Sequence, residues 1–324
     1  MKYKDKIYGK CKIEEKIILD IIREPIFERL KGIDQAGYFE VYFPGTKHSR
    51  FEHSVGCYLL LKRYNASLKE QIAGLIHDVS HSAFSHTADY VFAQGRGADH
   101  NYQDDIFVDF VYKTNIVRIL EEYGYNVDEI LNEDNFPLQE TPLPNLCADR
   151  IDYSLRGMTV YNIADEGTIE NILKSLRVID NEWVFDNFDI ALQYAQLFKK
   201  LNDIYYSNKE TAAMFLRTSK WIKYAIQKEY ISHRDLFTTD EEVIKKINIY
   251  LNEDVKLQEL WNEMNNSQIE CGKNDKEGEK VIVKSRVVDP LVIINGNIKH
   301  ISILDKDWFK SVQEDKVPKT YYIR

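Results

Sequence analysis

The segments His48-Ser-Arg-Phe-Glu-His53 and Ile76-His-Asp-Val-Ser-His81 contain half of the eight histidines of this 324-residue chain. A third segment, Ala148-Asp-Arg150, adds a carboxylate well downstream. Histidine nitrogens and carboxylate oxygens together suit borderline divalent ions. The pattern therefore predicts a single metal site with four ligands: His53, His77, Asp78 and Asp149.

The chemistry expected of such a site is hydrolysis. A bound divalent ion generates hydroxide from water near neutral pH and polarises a phosphoryl oxygen. A lone histidine is more often a structural or surface residue than a ligand, so the prediction depends on the joint pattern. That pattern predicts a metal-dependent phosphohydrolase, with Mn, Fe, Zn, Ni, Co or Mg as candidate ions.

Helical periodicity surrounds the candidate ligands. The His-Asp pair at positions 77 and 78 falls near the C-terminal end of a predicted helix with the apolar stripe Leu68, Ile72, Leu75, Ile76 and Val79. A similar pattern predicts the helix that carries His53, with apolar residues at Val55, Leu59, Leu60 and Tyr64. Both parts of the motif are therefore expected on helices.

A third predicted helix follows a proline-containing loop over residues 132–145. Four of its polar residues are spaced i, i+3, i+4 and i+7 and share one face: Asp149, Asp152, Tyr153 and Arg156. The opposite face is apolar, with Cys147, Ile151, Leu155 and Met158. We expect this helix to bury its apolar side and to turn the polar side toward a site.

The rest of the chain predicts more helix and, near the C-terminus, short strands. Residues 191–225 are helical in pattern, residues 265–280 form a polar loop, and residues 281–288 and 291–297 are strand-like with an Asn295-Gly296 hairpin turn. The predicted fold is mainly α, with a helical bundle over residues 1–235 and a small mixed α/β lobe over residues 236–324.

Composition limits the class of protein. The net charge of −9 argues against a broad nucleic-acid-binding surface. The four cysteines are scattered without a CxxC motif, the N-terminus lacks the apolar core of a signal peptide, and no apolar run approaches the ~20 residues that span a bilayer. We therefore expect a soluble cytoplasmic protein without membrane contact.

Seven segments together resemble the HD-domain phosphohydrolase superfamily, in particular its deoxynucleoside triphosphate triphosphohydrolases, which include the SAM-and-HD-domain enzymes. The segments are residues 26–35, 42–45, 50–56, 72–78, 84–86, 149–153 and 206–209. Residues 288–290, Val-Asp-Pro, also resemble a family segment. The resemblance covers most of the chain and implies an HD-domain helical bundle that forms a dimer or higher homo-oligomer.

The resemblance also implies roles for individual residues, and it supports the four metal ligands. Phosphate contacts are implied for Arg50 and Arg150, since paired guanidinium donors match phosphate oxygens. Phosphate contact or proton transfer is implied for His81, His86 and His100. The implied nucleotide-binding residues are Gln35, Tyr153, Tyr206 and Lys209.

Simpler explanations stay open for several of these residues. His81 could cap a helix end, Arg150 could form a surface ion pair, and His100 could be solvated. Tyr206 and Lys209 could be packing and surface residues. Two further residues have no assigned ligand role: Asp152 could orient a neighbour, and His48 is expected on the surface.

Departures from the family concern the substrate. Where the relatives have a leucine that occupies the position of a 2′-hydroxyl, this chain has Ala36, which leaves space. Gly157 replaces the aspartate that binds the 3′-hydroxyl, and Ser80-His-Ser-Ala83 replaces a Gly-His-Gly-Pro segment. The family's triphosphate-binding arginine corresponds to a position near Phe198 in this chain, where Lys199 and Lys200 follow. These changes suggest that selection for deoxyribose is relaxed or replaced.

Three functions remain in consideration. The favoured one is nucleoside triphosphate triphosphohydrolase chemistry. The second is a phosphatase or phosphodiesterase on other phosphate esters, although the chain lacks both the Gly-Tyr-Pro signature of cyclic-dinucleotide phosphodiesterases and the Glu-Asp pair of alarmone hydrolases. The third is a nucleotide-binding regulatory protein without useful turnover, which the complete ligand set disfavours.

Overall fold

A computed structural model of the chain describes residues 1–92 and 102–324. The α-helices are α1 Lys16–Arg23, α2 Pro25–Glu28, α3 Arg50–Arg63, α4 Leu68–Ile76, α5 Thr87–Phe92, α6 Tyr102–Val111, α7 Ile116–Glu122, α8 Val127–Leu131, α9 Ala148–Val160, α10 Glu166–Ser175, α11 Phe188–Leu201, α12 Lys209–Gln227, α13 Asp240–Asn248, α14 Val255–Met264, α15 Ile301–Leu304 and α16 Lys306–Glu314. The strands are β1 Lys2–Asp5, β2 Gly9–Lys12, β3 Leu176–Ile179, β4 Glu182–Phe185, β5 Glu279–Val283, β6 Leu291–Ile294, β7 Asn297–His300 and β8 Lys319–Ile323. The predicted fold class, mainly α with a small C-terminal α+β part, is confirmed.

Helix α3 is the centre of the bundle. Most of its residues are buried, on every side of the helix, because α4 and α9 both pack against it. The approach of α9 is close at Gly56, where an added Cβ would lie 2.0 Å from Asp152 Oδ2 and 2.2 Å from Arg156 Nη2. Glycine at this position therefore lets two charged side chains of α9 lie against the backbone of α3.

Three small sheets surround the helices. Strands β1 and β2 form an N-terminal antiparallel hairpin, and β5 pairs with β8. The third sheet has the order β3-β4-β6-β7, in which β4 and β6 run parallel. The predicted turn between β6 and β7 is confirmed, with positive φ angles of 49° at Asn295 and 77° at Gly296. The domain boundary at residue 235 stays a prediction.

Three local expectations were wrong. The helix expected over residues 191–225 is interrupted by a π-turn, Asn202–Tyr206, after which the Asn208 side chain caps α12. The strand expected over residues 281–288 ends at Val283. His48 is buried and not on the surface, because its ring packs against Tyr161.

One finding bears on the membrane. Among the residues that the structure describes, no helix is both long enough and apolar enough to cross a bilayer.

Candidate metal centre and substrate cavities

Three helix ends meet at the candidate metal centre. His53 lies in the first turn of α3, whose start is fixed by a capping box between Ser49 and Glu52. His77 and Asp78 directly follow the last residue of α4, and Asp149 lies in the first turn of α9. Tertiary packing of α3 against α4 and α9 thus brings together residues that are 96 positions apart in sequence.

The distances between ligand atoms suit one divalent ion. His53 Nε2 lies 3.2 Å from His77 Nε2 and 2.9 Å from Asp149 Oδ1. His77 Nε2 lies 3.4 Å from the same Asp149 oxygen. Atoms bonded to one ion at roughly 2.0–2.2 Å lie roughly 2.8–3.6 Å apart in octahedral or tetrahedral geometry. The Asp78 carboxylate is slightly farther, 3.7 Å from His53 Nε2 and 3.5 Å from His77 Nε2.

Hydrogen bonds on the far side of each imidazole orient it toward this point. His53 Nδ1 donates to Asp152 Oδ1 at 2.8 Å, and His77 Nδ1 donates to the Gly74 carbonyl at 2.9 Å. With the proton on Nδ1, each Nε2 carries a free lone pair directed at the centre. The residues present therefore fit a divalent metal.

Charge in the centre is balanced by protons when no metal is bound. Burial alone would lower the pKa of His77, but the carboxylates of Asp78 and Asp149 raise it to about 10. Burial likewise opposes protonation of His53, yet Asp149 and Asp152 raise its pKa. A divalent ion must displace these protons, so metal binding releases protons and weakens in acid.

Arg50 holds the fourth candidate ligand. Its Nη1 donates to Asp78 Oδ2 at 2.7 Å, and both side chains are almost completely buried. Burial would raise the pKa of Asp78, but Arg50, His77 and His81 lower it well below its usual range. The carboxylate is thus ionised and available as a ligand.

Cys57 lies near enough to the centre to be considered as a ligand. Its Sγ is almost equally far from both ring nitrogens of His53, 3.8 Å from Nδ1 and 3.7 Å from Nε2. The sulfur therefore packs against the imidazole and does not approach along a lone pair. Burial raises the pKa of this thiol well above its usual value, which favours the neutral thiol over a thiolate ligand.

The far side of the centre is braced by a buried charge network. Asp152 accepts from Arg156 Nε at 3.0 Å and from Arg156 Nη2 at 2.9 Å. The same guanidinium reaches Asp5 Oδ2 at 3.2 Å, and Tyr8 Oη donates to Asp152 Oδ2 at 2.9 Å. The β1–β2 hairpin thus supports the carboxylate that orients His53.

Two cavities meet beside the centre. The metal cavity is lined by the candidate ligands His77, Asp78 and Asp149 and by further polar residues. The aromatic cavity is lined mainly by rings, among them Phe39, Tyr161 and Tyr205. Four residues line both cavities: Gln35, His86, Tyr153 and Arg286.

The family model described as the HD domain matches residues 50–157. Uncharacterized protein YdhJ of Bacillus subtilis is 34% identical over 256 residues, which cover 79% of this chain and 78% of YdhJ. The chain belongs to the HD-domain family.

Other relatives of this HD-domain protein are named by an activity. Metal-dependent phosphohydrolase cns2 of Cordyceps militaris is 30% identical over 68% of this chain and 64% of cns2. Deoxynucleoside triphosphate triphosphohydrolase SAMHD1 of Gallus gallus is 31% identical over 43% of this chain and 26% of SAMHD1. A phosphohydrolase from Bacteroides thetaiotaomicron shares the fold, with a TM-score of 0.77 at 18% identity over 100% of this chain and 98% of the other. The chain therefore shares the HD-domain fold with proteins that are named as phosphohydrolases.

The expected nucleotide-binding residues of this HD domain separate into two groups. Gln35, Tyr153 and Tyr206 line the aromatic cavity. Lys209 lies outside both described cavity linings. Its side chain is 47% exposed, and its Nζ lies 3.6 Å from Glu210 Oε1. The structure therefore brings three of the four to the cavity, and Lys209 is a surface residue at the start of α12.

The expected phosphate-binding residues are already engaged within the protein. Besides Asp78, Arg50 donates to Ser85 Oγ at 3.0 Å and to the Gln35 carbonyl at 2.9 Å. Arg150 donates to the Thr141 carbonyl at 3.0 Å and pairs with Glu140 at 3.2 Å. Both arginines line the metal cavity, but most of their donors are satisfied before any substrate arrives.

The histidines expected in catalysis line the metal cavity where the structure describes them. His81 Nε2 lies 3.3 Å from Asp78 Oδ1, and burial beside Arg50 lowers the pKa of His81 to about 4. Burial also lowers the pKa of His86 well below its usual value. His100 lies outside the described residues, so its expected role stays a prediction.

The structure shows the surroundings of three positions at which this chain departs from the family. A Cβ on Gly157 would lie 2.7 Å from Tyr206 Oη, so the glycine allows this tyrosine to reach α9. Ala36 lines the aromatic cavity. Phe198, near which the triphosphate-binding arginine would fall, is completely buried beside Tyr153 and Tyr194.

Several lining residues of the metal cavity were missed by the sequence reasoning. Asp104 and Glu133 form an acidic wall, and burial with the neighbouring Glu133 and Asp78 raises the pKa of Asp104 to about 7. Lys284 and Arg286 enter from the C-terminal part of the chain. The available signal was the run of charged residues alternating with small or apolar residues after Val283.

The brace from the hairpin gives a direct prediction. Tyr8→Phe removes one hydrogen bond to the buried Asp152 carboxylate, which should lower the free energy of unfolding by about 1.5–3 kcal/mol. It should also weaken Mn²⁺ affinity roughly 10-fold, because Asp152 orients His53. Titration calorimetry and urea unfolding measure both effects.

Tyr3→Phe is the matched control on the same hairpin, since within the described residues the Tyr3 hydroxyl has no hydrogen bond. Equal metal affinity in the Tyr8→Phe and Tyr3→Phe proteins would contradict a bracing role for Tyr8.

Proposed function

We propose that this HD-domain protein is a metal-dependent phosphohydrolase that acts on nucleotides, with a nucleoside triphosphate as the favoured substrate. The observation that carries the proposal is the junction of the metal cavity with the aromatic cavity at Gln35, His86, Tyr153 and Arg286. A phosphate at the metal centre would leave the attached nucleoside in the aromatic cavity. The metal, when bound, supplies hydroxide near neutral pH and polarises the phosphoryl oxygen.

The aromatic cavity has the chemistry that a nucleobase requires. The rings of Tyr161 and Tyr205 lie 4.3 Å apart, and Phe39 lies 5.9 Å from Tyr161 between ring centroids. Such ring faces stack on planar groups and contribute ~1–3 kcal/mol per base in other proteins. They favour a planar leaving group over a small aliphatic phosphate ester.

Two polar atoms without a partner support a sugar-binding position at the junction of the cavities. Within the described residues, Gln35 Oε1 and Tyr153 Oη are buried and have no hydrogen-bond partner. Both residues lie at the junction of the two cavities. Buried polar groups of this kind nearly always have a partner, and a ribose hydroxyl would supply one.

The buried histidines act as neutral groups in this proposal. Because burial lowers the pKa of both His81 and His86, their imidazoles can donate an N–H to phosphate oxygens without carrying charge at neutral pH. His86 lies at the junction, close to where the bond between phosphate and nucleoside would break. As part of the same proposal, the protein acts in the cytoplasm as a homo-oligomer.

A phosphomonoesterase is the second candidate, and the charges of the metal cavity favour it. Asp104, Glu133 and Glu140 line the wall away from the aromatic cavity, where the distal phosphates of a triphosphate would extend. Buried Phe198 lies near where the family has its triphosphate-binding arginine. A short phosphate group meets less repulsion there than a triphosphate does.

Product analysis separates the candidates. Purified protein with Mn²⁺, or separately Mg²⁺, is incubated with dNTPs, NTPs, nucleoside monophosphates and a generic phosphodiester, and products are resolved chromatographically. Nucleoside plus intact triphosphate supports triphosphohydrolase chemistry, and orthophosphate from monophosphates supports the phosphatase. Absence of turnover across the panel by metal-loaded protein would overturn the nucleotide proposal.

Sugar selectivity is predicted to depend on Ala36. Ala36→Leu should reduce turnover of ribonucleotides relative to deoxyribonucleotides by roughly 10–200-fold, because the larger side chain fills the space open beside the ribose. The ratio of kcat/KM values for matched ribo and deoxy substrates measures the effect. Ala36→Ser keeps a small side chain and should leave the ratio close to that of the wild type. An unchanged ratio in the leucine variant would reject this role.

A further inference from the structure

In the chain segment after β5, buried and partly exposed side chains alternate. Val283, Ser285 and Val287 are buried at 0%, 6% and 2% exposure, whereas Lys284 and Arg286 are only partly buried. Side chains of extended backbone alternate between two sides, so the odd positions face the core and the even positions face the cavity. Both even positions line the metal cavity.

A buried asparagine fixes this segment. Asn202, in the π-turn after α11, accepts from the Arg286 N–H at 2.9 Å and donates to Ser285 Oγ at 3.1 Å. Asn202 itself is fully buried. The backbone that carries the two cations is therefore held in one position against the helical bundle, as a preorganised binding element requires.

Arg286 differs from the other arginines of the cavity. Arg50 and Arg150 each pair with a carboxylate, Asp78 and Glu140 respectively. Within residues 1–92 and 102–324, no carboxylate oxygen lies within 4.0 Å of the Arg286 guanidinium. A cation without a carboxylate partner at the edge of a cavity is stabilised when an anion binds beside it.

Lys284 adds a second positive charge close by. Burial and the neighbouring Arg286 lower the pKa of Lys284, although Asp104 and Asp89 act in the opposite direction. Two neighbouring cations repel each other, and an anion bound between them stabilises both. This agrees with the shape of the site, since Lys284 lines only the metal cavity and Arg286 lines both cavities.

We propose that Lys284 and Arg286 form the phosphate-binding subsite of this protein. Arg286, at the junction, binds the phosphate attached to the nucleoside, and Lys284 binds phosphate oxygens deeper in the metal cavity. This assignment rests on the proposed phosphohydrolase function for the identity of the substrate. The ligand chemistry is that of phosphate or an inorganic polyphosphate, so the subsite is testable without any nucleotide.

The experiment measures binding of inorganic tripolyphosphate and of orthophosphate to Mn²⁺-loaded protein by titration calorimetry. Arg286→Met and Lys284→Met keep the aliphatic part of each side chain and remove its charge. Each should weaken tripolyphosphate binding roughly 10–100-fold, as expected for a lost charged hydrogen bond. Arg286→Lys should recover part of the affinity, because one charge returns without the paired donors. Mn²⁺ affinity should change less than about twofold in all variants, since among the described residues no ion pair joins either cation to Asp78 or Asp149.

Lys280→Met is the matched control, since Lys280 is an exposed lysine of β5 outside the described cavity linings. Unchanged tripolyphosphate binding in the Arg286→Met and Lys284→Met proteins, or no binding by the wild type, would overturn the subsite. Loss of binding in these variants while the wild type hydrolyses no nucleotide would instead retain the subsite and reject the proposed function. With a nucleotide that the wild-type protein hydrolyses, the Arg286→Met and Lys284→Met substitutions should raise KM more than they lower kcat.

Discussion

Substituting both His77 and Asp78 by alanine is expected to abolish metal binding and to lower phosphohydrolase turnover by roughly 10³-fold or more. The substitutions leave only His53 and Asp149 of the four candidate ligands, which lie 2.9 Å apart. Two ligands are too few to hold a divalent ion in competition with water. Metal content after dialysis and turnover with added Mn²⁺ measure the two effects.

The double substitution should leave the net charge of the metal-free centre unchanged. Without metal, His77 is held protonated by its carboxylate neighbours, so the pair that is removed carries no net charge. Arg50 loses Asp78 but keeps its bonds to Ser85 Oγ and the Gln35 carbonyl. We therefore expect a protein that is less stable than the wild type but still folded, and circular dichroism checks this directly.

His233→Ala is a control that removes an exposed histidine away from both cavities. The control protein should retain metal and turnover. Full metal occupancy of the His77→Ala/Asp78→Ala protein would reject the proposed centre. If instead metal is lost while nucleotide binding persists and the wild type shows no turnover, the regulatory function gains support over the enzyme.

The sequence predicted the centre because the motif residues are concentrated at helix ends. The apolar stripe before His77 and the polar face that begins at Asp149 each follow helical spacing. In the structure both ligands lie at the expected ends of α4 and α9. Packing of two such helices against α3 is then enough to bring the side chains together.

The role of Arg156 shows where that reasoning fails. Spacing places Arg156 on the same face as Asp149, and that face is expected to turn toward a polar site. It is completely buried and pairs with Asp152 and with Asp5, which is 151 positions away. Helical periodicity assigns residues to a face but does not identify which element covers that face.

The phosphate contacts expected of Arg50 and Arg150 stay a prediction, but the structure gives both arginines a further role that helical spacing does not reveal. Arg50 and Arg150 are adjacent to motif residues, yet Arg50 pairs with buried Asp78 and Arg150 pairs with partly buried Glu140. Ionised Asp78 needs such a partner, because burial of an unpaired charge is costly. Lys284 and Arg286 are more than 130 positions from the nearest candidate ligand, so no local pattern linked them to the centre.

Breaking the buried network at Arg156 should have the largest effect on stability. Arg156→Met leaves the carboxylates of Asp152 and Asp5, 0% and 4% exposed, without their shared cation. Loss of one partner from a buried ion pair lowers the free energy of unfolding by about 3–5 kcal/mol. Urea unfolding of metal-free protein measures this loss.

The same substitution should act on the metal centre. Asp152 accepts from His53 Nδ1 at 2.8 Å, so a displaced or protonated Asp152 no longer fixes the imidazole with its Nε2 toward the ion. Outer residues of this kind change metal affinity roughly 10–100-fold. Titration of the folded Arg156→Met protein with Mn²⁺ therefore gives a second measurement that a purely structural defect elsewhere would leave unchanged.

Two further variants make the prediction specific. Arg118→Met removes an exposed arginine paired with Glu122, and it should cost less than about 0.5 kcal/mol. Adding Asp5→Asn to Arg156→Met removes one of the two carboxylates left without a cation, so part of the lost stability should return. If the Arg156→Met and Arg118→Met proteins were equally stable, the network would contribute no more than a surface ion pair. Coordination of His53 would then depend on α3 packing alone.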